Sequence, residues 1–223
     1  MTQPAIRIDV VSDVVCPWCY IGKRHLEQAL ATWRANHADA PVEVRWHPFQ
    51  LNPDLPPEGK DRRAYLEAKF GGPERAAAIY ARVKAAGANA GLAMNFDAIK
   101  QQPNTLLAHA LIAYAQSVEG GGGGRGDAVV ERLFCAYFVA GEFVGDLNVL
   151  LRIAAGCGLD VDATRDVLQD DATLQQIAAQ DAAVRQQGVS GVPFFVFNQR
   201  LALSGAQPPD VLLQTMREAA SAA

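Results

Sequence analysis

The chain has 223 residues and is short of cysteine, with four. So few cysteines do not make a disulfide framework, and in a cytosolic chain such residues are more often free, metal-bound or redox-active. It also lacks any run of Lys and Arg, and its formal net charge is -4. The basic face that phosphate binding needs is therefore missing, which argues against a nucleic-acid partner. No stretch approaches the ~20 apolar residues of a membrane span. Asp9 and Asp13 interrupt the apolar residues near the N-terminus, so no signal-like hydrophobic region forms and the cytoplasm is the expected compartment. What is present is an ordinary globular composition, half hydrophobic and a fifth charged, in a chain long enough for a large core.

Ile6, Ile8 and Val10 alternate with Arg7 and Asp9, which predicts a strand, and Val11 extends it as one buried on both faces. Leu26, Ala29, Leu30 and Trp33 follow at helical spacing, with Lys23, Arg24, Glu27 and Gln28 opposite as a solvated face. "VEVRWHPF" alternates again and predicts a second strand. "NPDLPPEG" (residues 52–59) is a loop. From Arg62 to about Asp170 the chain reads as successive helices, placed at 62–70, 74–88, 104–118, 127–140, 147–156 and 162–169. Gly120 to Gly126, "GGGGGRG", is expected to be a surface loop. A helix over 172–187 should stop at Gly188. "VPFFVF" and "RLALS" read as a hairpin around Asn198-Gln199, and Pro208-Pro209 opens a last helix. With the helical block removed, the order is β-α-β then α-β-β-α, the thioredoxin arrangement. The expected class is α/β, a thioredoxin fold with a large all-helical insertion between the second strand and the second core helix. The expected divisions are 1–58 and 171–223 for the core and 59–170 for the insertion.

Cys16 and Cys19 form a C-x-x-C pair at a predicted helix start. A structural zinc site normally needs four ligands, often as two close pairs. Cys135 and Cys157 stand far apart, and His25, His37, His47 and His109 are scattered. A staple between residues so close would remove little unfolded-chain entropy. A redox role fits better. The unpaired N–H groups and dipole of a helix start stabilise an anion, and thiolate is the attacking species. Cys16 is the expected attacker and Cys19, one turn inside, the resolving thiol. Pro17 suits the first helical position, and Trp18 at the tip is expected to be exposed. Asp9 and Asp13 are expected to be strand-end or capping residues, with proton acceptance from Cys19 as the alternative role. Cys135, among Leu133, Phe134, Tyr137 and Phe138, reads as a core thiol, and Cys157, between glycines, as an accessible one.

"SDVVCPWCYIGK", followed far downstream by "GVSGVPFFVFNQRLALSGAQPP", resembles the DsbA-like thioredoxin-fold oxidoreductases, specifically the cytoplasmic FrnE-type branch. The likeness extends through "WHPFQLNPDLP" and "NTLLAH". It implies a thiol–disulfide oxidoreductase working through Cys16 and Cys19 on disulfide-containing proteins or small-molecule thiols. It also implies a cis-proline at Pro193 facing the cysteines, with Val192 able to pair with an extended peptide or glutathione. Pro17, Trp18, Val192 and Pro193 become substrate-binding candidates, and Asn52, Asn104, His109 and Gln207 cleft candidates. No metal and no tightly bound cofactor is implied, and glutathione is a candidate redox partner. The sister branch of kappa-class glutathione transferases and 2-hydroxychromene-2-carboxylate isomerases makes a glutathione-dependent isomerase or transferase the alternative. Those proteins carry serine where Cys16 stands, and Gly205-Ala206-Gln207 departs from their glutathione-holding pair.

Overall fold

The computed structural model describes residues 6–37, 40–118 and 124–221. Strand β1 (Ile6–Ser12) leads through a tight turn into helix α1 (Pro17–Asn36), and β2 (Val42–Pro48) returns parallel to β1. A helical series follows. A two-residue strand β3 (Lys60–Asp61) precedes α2 (Arg62–Phe70) and α3 (Pro73–Asn89), and pairs with β4 (Gln101–Gln102). Next come α4 (Leu106–Val118), α5 (Gly124–Phe134), α6 (Leu147–Gly156), α7 (Val161–Gln169) and α8 (Asp171–Gln186). The hairpin β5 (Phe194–Phe197) and β6 (Leu201–Ser204) and helix α9 (Pro209–Ser221) close the chain. The main sheet has the order β2-β1-β5-β6, with β5 antiparallel to both neighbours. This is the thioredoxin fold with a helical insertion.

Strand β1 is central, which explains its unbroken apolar pattern: six of its seven residues are buried. The hairpin turn at Asn198 and Gln199 has φ values of 48° and 57°, the left-handed turn that matches strand twist. Asn198 earns its place there through its side chain. Its Oδ1 accepts from the Arg7 N–H at 2.8 Å and its Nδ2 donates to the Ala219 carbonyl at 3.2 Å, so one residue ties the hairpin to β1 and α9. Asp61, Asp146, Asp160 and Asp170 cap α2, α6, α7 and α8 by accepting backbone N–H bonds.

Two sequence expectations change. The helix expected over 127–140 gives way after Phe134 to a π turn at Cys135–Val139. The glycine-rich 120–126 stretch divides: Gly124, Arg125 and Gly126 begin α5, and the rest lies outside the described residues. The Gly126 Cα lies so close to Gln116 that an added Cβ would sit 2.5 Å from its Cγ, so that glycine serves close helix approach rather than looseness.

Candidate active site

The end of β1 delivers the chain to the tip of α1. Cys16 is the N-cap, with extended backbone (φ -91°, ψ 111°), and Pro17 takes the first helical position. The Cys16 N–H donates to the Asp13 carbonyl at 3.0 Å, and the Cys16 carbonyl accepts from Cys19 N–H at 3.0 Å and Tyr20 N–H at 3.4 Å. No side chain caps the helix and no acidic residue lies in its first turn. The Cys16 sulfur thus sits where the free N–H groups and the positive end of the dipole favour negative charge.

Both cysteines are free thiols, and burial separates them. Cys16 retains 5 % exposure and borders a cleft, whereas Cys19 retains 1 %. Burial pushes the Cys19 thiol well above the ordinary cysteine range, and the adjacent Cys16 sulfur pushes it the same way. The Asp13 backbone and the Ser12 hydroxyl act in the opposite direction and are outweighed. Cys19 therefore holds its proton while Cys16 meets a substrate.

Opposite the sulfurs, the Val192–Pro193 peptide bond is cis. The Cys16 thiol donates to the Val192 carbonyl at 3.6 Å, and the Pro193 carbonyl accepts from Gly205 N–H at 2.8 Å. Helix α1 approaches this loop closely at Gly22, where an added Cβ would lie 3.0 Å from Pro193 Cγ and 3.2 Å from Phe195 Cζ. Trp18 is 43 % exposed at the rim.

The cleft beside Cys16 has a volume of about 310 Å³. Pro17, Trp18 and Val192 form its near wall, and Asn52 lines it at the loop after β2. Its far wall comes from α2 and α3: Tyr65, Leu66, Phe70, Ile79, Tyr80 and Val83. Sequence reading did not single out these far-wall residues. Their helical spacing showed an apolar face, and nothing local to either helix says that the face looks at Cys16.

Three of the cleft candidates lie elsewhere. Asn104 holds the proline-rich loop: its Nδ2 donates to Leu55 O at 2.7 Å and Pro53 O at 3.2 Å, and its Oδ1 accepts from Leu106 N–H at 2.9 Å, at the start of α4. His109 is buried, with Nε2 3.5 Å from Asp13 Oδ1, and lines a different cavity with Ser12 and Trp46. The Gln207 side chain donates to Ser204 O at 2.7 Å, while its carbonyl meets His25 Nδ1 at 2.9 Å. Each is consumed by a local backbone bond or sits beyond the wall of the cleft.

Other side chains also differ from expectation. Asp13 is buried and accepts from Leu51 N–H at 2.7 Å, which fixes the loop after β2 beside the cysteines. Asp9 pairs with Arg7 at 2.7 Å and His47 at 2.7 Å. Lys23, expected on a solvated face, is 2 % exposed. It pairs with Glu27, with Asp127 at 3.1 Å and with Glu131 at 3.2 Å. Burial alone would lower its pKa; the three carboxylates outweigh that and raise it. Cys135 is half-buried rather than sealed, with its sulfur 3.2 Å from Tyr20 Oη and 3.3 Å from Glu131 Oε1.

A thioredoxin core presenting one thiol that borders a cleft and one sealed beneath it at a helix tip defines a thiol–disulfide oxidoreductase in the general sense. The chain belongs to the DSBA-like thioredoxin domain family, which it matches over residues 7–217. It is similar to a probable DsbA oxidoreductase from Streptomyces coelicolor, at 32 % identity and a TM-score of 0.82, covering 96 % of this chain and 89 % of that one. It is 26 % identical over 212 residues to the uncharacterized protein YwbO of Bacillus subtilis, covering 92 % of this chain and 93 % of that protein. The cytosolic disulfide reductase DsbM of Pseudomonas aeruginosa, in a structure with glutathione, shares the fold at 18 % identity and a TM-score of 0.64, covering 95 % and 98 % of the two chains.

Proposed function

We propose that the protein is a cytosolic thiol–disulfide oxidoreductase that exchanges disulfides through Cys16 and Cys19, with glutathione as a redox partner. The observation that carries this is the pairing of a helix-tip sulfur bordering a cleft with a buried, protonated thiol one turn below it. Cys16 attacks a substrate disulfide, forming a mixed disulfide and releasing one thiol. Cys19 then loses its proton, bonds the Cys16 sulfur and releases the second. The Cys16 contact with the Val192 carbonyl supports Val192 and Pro193 as the segment beside which a bound substrate lies. The cytosol suits a chain with so few cysteines outside its reactive pair. A glutathione-dependent transferase or isomerase has less support, because the Gln207 side chain is spent on Ser204.

The test is exchange against a glutathione buffer. The wild-type protein should equilibrate between dithiol and disulfide forms. Cys16→Ser should abolish disulfide reduction, and Cys19→Ser should accumulate mixed disulfides visible by intact mass. Conjugation or isomerisation surviving Cys19→Ser at the wild-type rate, with no exchange by the wild type, would overturn the reading.

A further inference from the structure

We propose that the Cys16 cleft selects low-molecular-weight disulfides carrying a carboxylate and an apolar, preferably aromatic, group, over cationic disulfides and over disulfides in protein chains. This rests on the exchange reaction proposed above and names its substrate class.

Size is the first argument. Cys16 is reached through a cleft of about 310 Å³, at the lower end of the range for small-ligand pockets. Helices α2 and α3 supply the roof of that cleft, and the Cys16 residue keeps only 5 % exposure. A molecule of one or two rings enters such a space; the bulk around a protein disulfide meets the roof.

The walls are the second argument. Leu51, Leu66, Phe70, Ile79 and Val83 offer no hydrogen bonds to a polar ligand, while Tyr80 and the exposed Trp18 offer ring faces. Burying an apolar group there gains about 25 cal/mol per Å² removed from water.

Charge is the third. Among the residues lining the cleft, Lys69 is the one lysine or arginine, and no aspartate or glutamate is present. Lys69 is exposed at the mouth, where it donates to Tyr65 Oη at 2.9 Å. The tip of α1 points the positive end of its dipole at the same space. Lys69 at the mouth and the helix tip at the base, with no carboxylate among the lining side chains, make the cleft attractive to an anion.

The step balances within the protein. Cys16 Sγ bonds one substrate sulfur as the substrate S–S bond breaks and a carboxylated thiolate leaves. Cys19 releases its proton and bonds Cys16 Sγ, expelling the second thiolate. The Cys16–Cys19 dithiol is oxidised by two electrons and the substrate is reduced to two thiols.

The experiment is single-turnover oxidation of the fully reduced protein by dithiodibenzoate, dithiodipropionate, cystamine and insulin, each rate divided by that of dithiothreitol with the same disulfide. The expected order is dithiodibenzoate, dithiodipropionate, cystamine. The charge contrast between the last two should be on the order of tenfold at low salt and shrink as salt rises. Insulin should be slower than dithiodibenzoate by a similar factor. Lys69→Glu, at an exposed position, should slow dithiodipropionate and speed cystamine. Tyr80→Ala, which opens the roof, should bring insulin closer to dithiodibenzoate. Equal normalised rates across the four disulfides, unmoved by Lys69→Glu, would sink this inference and leave the exchange reaction standing. No oxidation of the dithiol by any of them would sink both.

Discussion

At the scale of single residues, proton placement decides the chemistry. Cys19 is sealed beneath Cys16 and burial holds it protonated. In Cys16→Ser, the remaining Cys19 should therefore react with iodoacetamide at pH 8 at least about tenfold more slowly than a free cysteine in unfolded protein; alkylation at the unfolded rate would contradict its burial. Glu131 shows the opposite balance. Burial alone would raise its pKa, but the Arg24 hydrogen bond and the charges of Lys23 and Arg24 dominate and hold it at about 2, against an ordinary 4.5. A carboxyl depressed by folding stabilises the native state above its unfolded pKa and loses that contribution as pH falls toward its folded one. Thermal melting followed from pH 4.5 down to about 2 should thus fall more steeply for the wild type than for Glu131→Gln. Parallel curves would remove Glu131 from the acid transition.

At the scale of elements, the joint between α1 and the β5 approach positions the site. Gly22 allows the helix to lie against Pro193 and Phe195. Gly22→Val places branched carbon where an added Cβ already meets Pro193 Cγ at 3.0 Å. Overpacking of this kind costs about 1–3 kcal/mol, to be read from urea unfolding, and it should also displace the Val192 carbonyl from the Cys16 sulfur. A variant as stable and as active as the wild type would show that the joint has slack. The Asn198-Gln199 turn was readable in advance because it depends on residues within a few positions. The π turn at Cys135–Val139 was not, since its backbone shift accompanies the contact that Tyr20, far away in the chain, makes with Cys135.

At the scale of the whole molecule, the insertion is bound to the core by charge as well as by packing. Lys23 on α1 reaches Asp127 and Glu131 on α5, and Arg24 joins Glu131 with a second bond to Tyr20 Oη at 3.2 Å. Lys23→Met removes the cation and leaves the carboxylates facing apolar carbon. The expected loss is about 1–3 kcal/mol, less than for a wholly buried pair because the acids reach water. It should appear in the denaturation midpoint, together with faster amide exchange in α5. An unchanged midpoint would mean that hydrophobic contact alone docks the insertion. On the opposite side, Asp181 of α8 accepts from Gln50 N–H at 3.0 Å and from Arg185 Nε at 3.1 Å, which pins the loop after β2 that carries Asn52 to the cleft.

The amino-acid sequence alone determined the order of the main-sheet strands and the long helices, the hairpin turn and the placing of Cys16 and Cys19 at the head of α1. Periodicity and turn chemistry act over a few residues, so they can be read without knowing what the chain meets. Only the tertiary structure decided that α2 and α3 roof Cys16, that Asn52 joins the cleft while Asn104, His109 and Gln207 do not, and that Lys23 and Arg62 are buried. Those outcomes depend on which distant segments pack together, and a charged residue carries the same letter whether water or a neighbouring helix surrounds it.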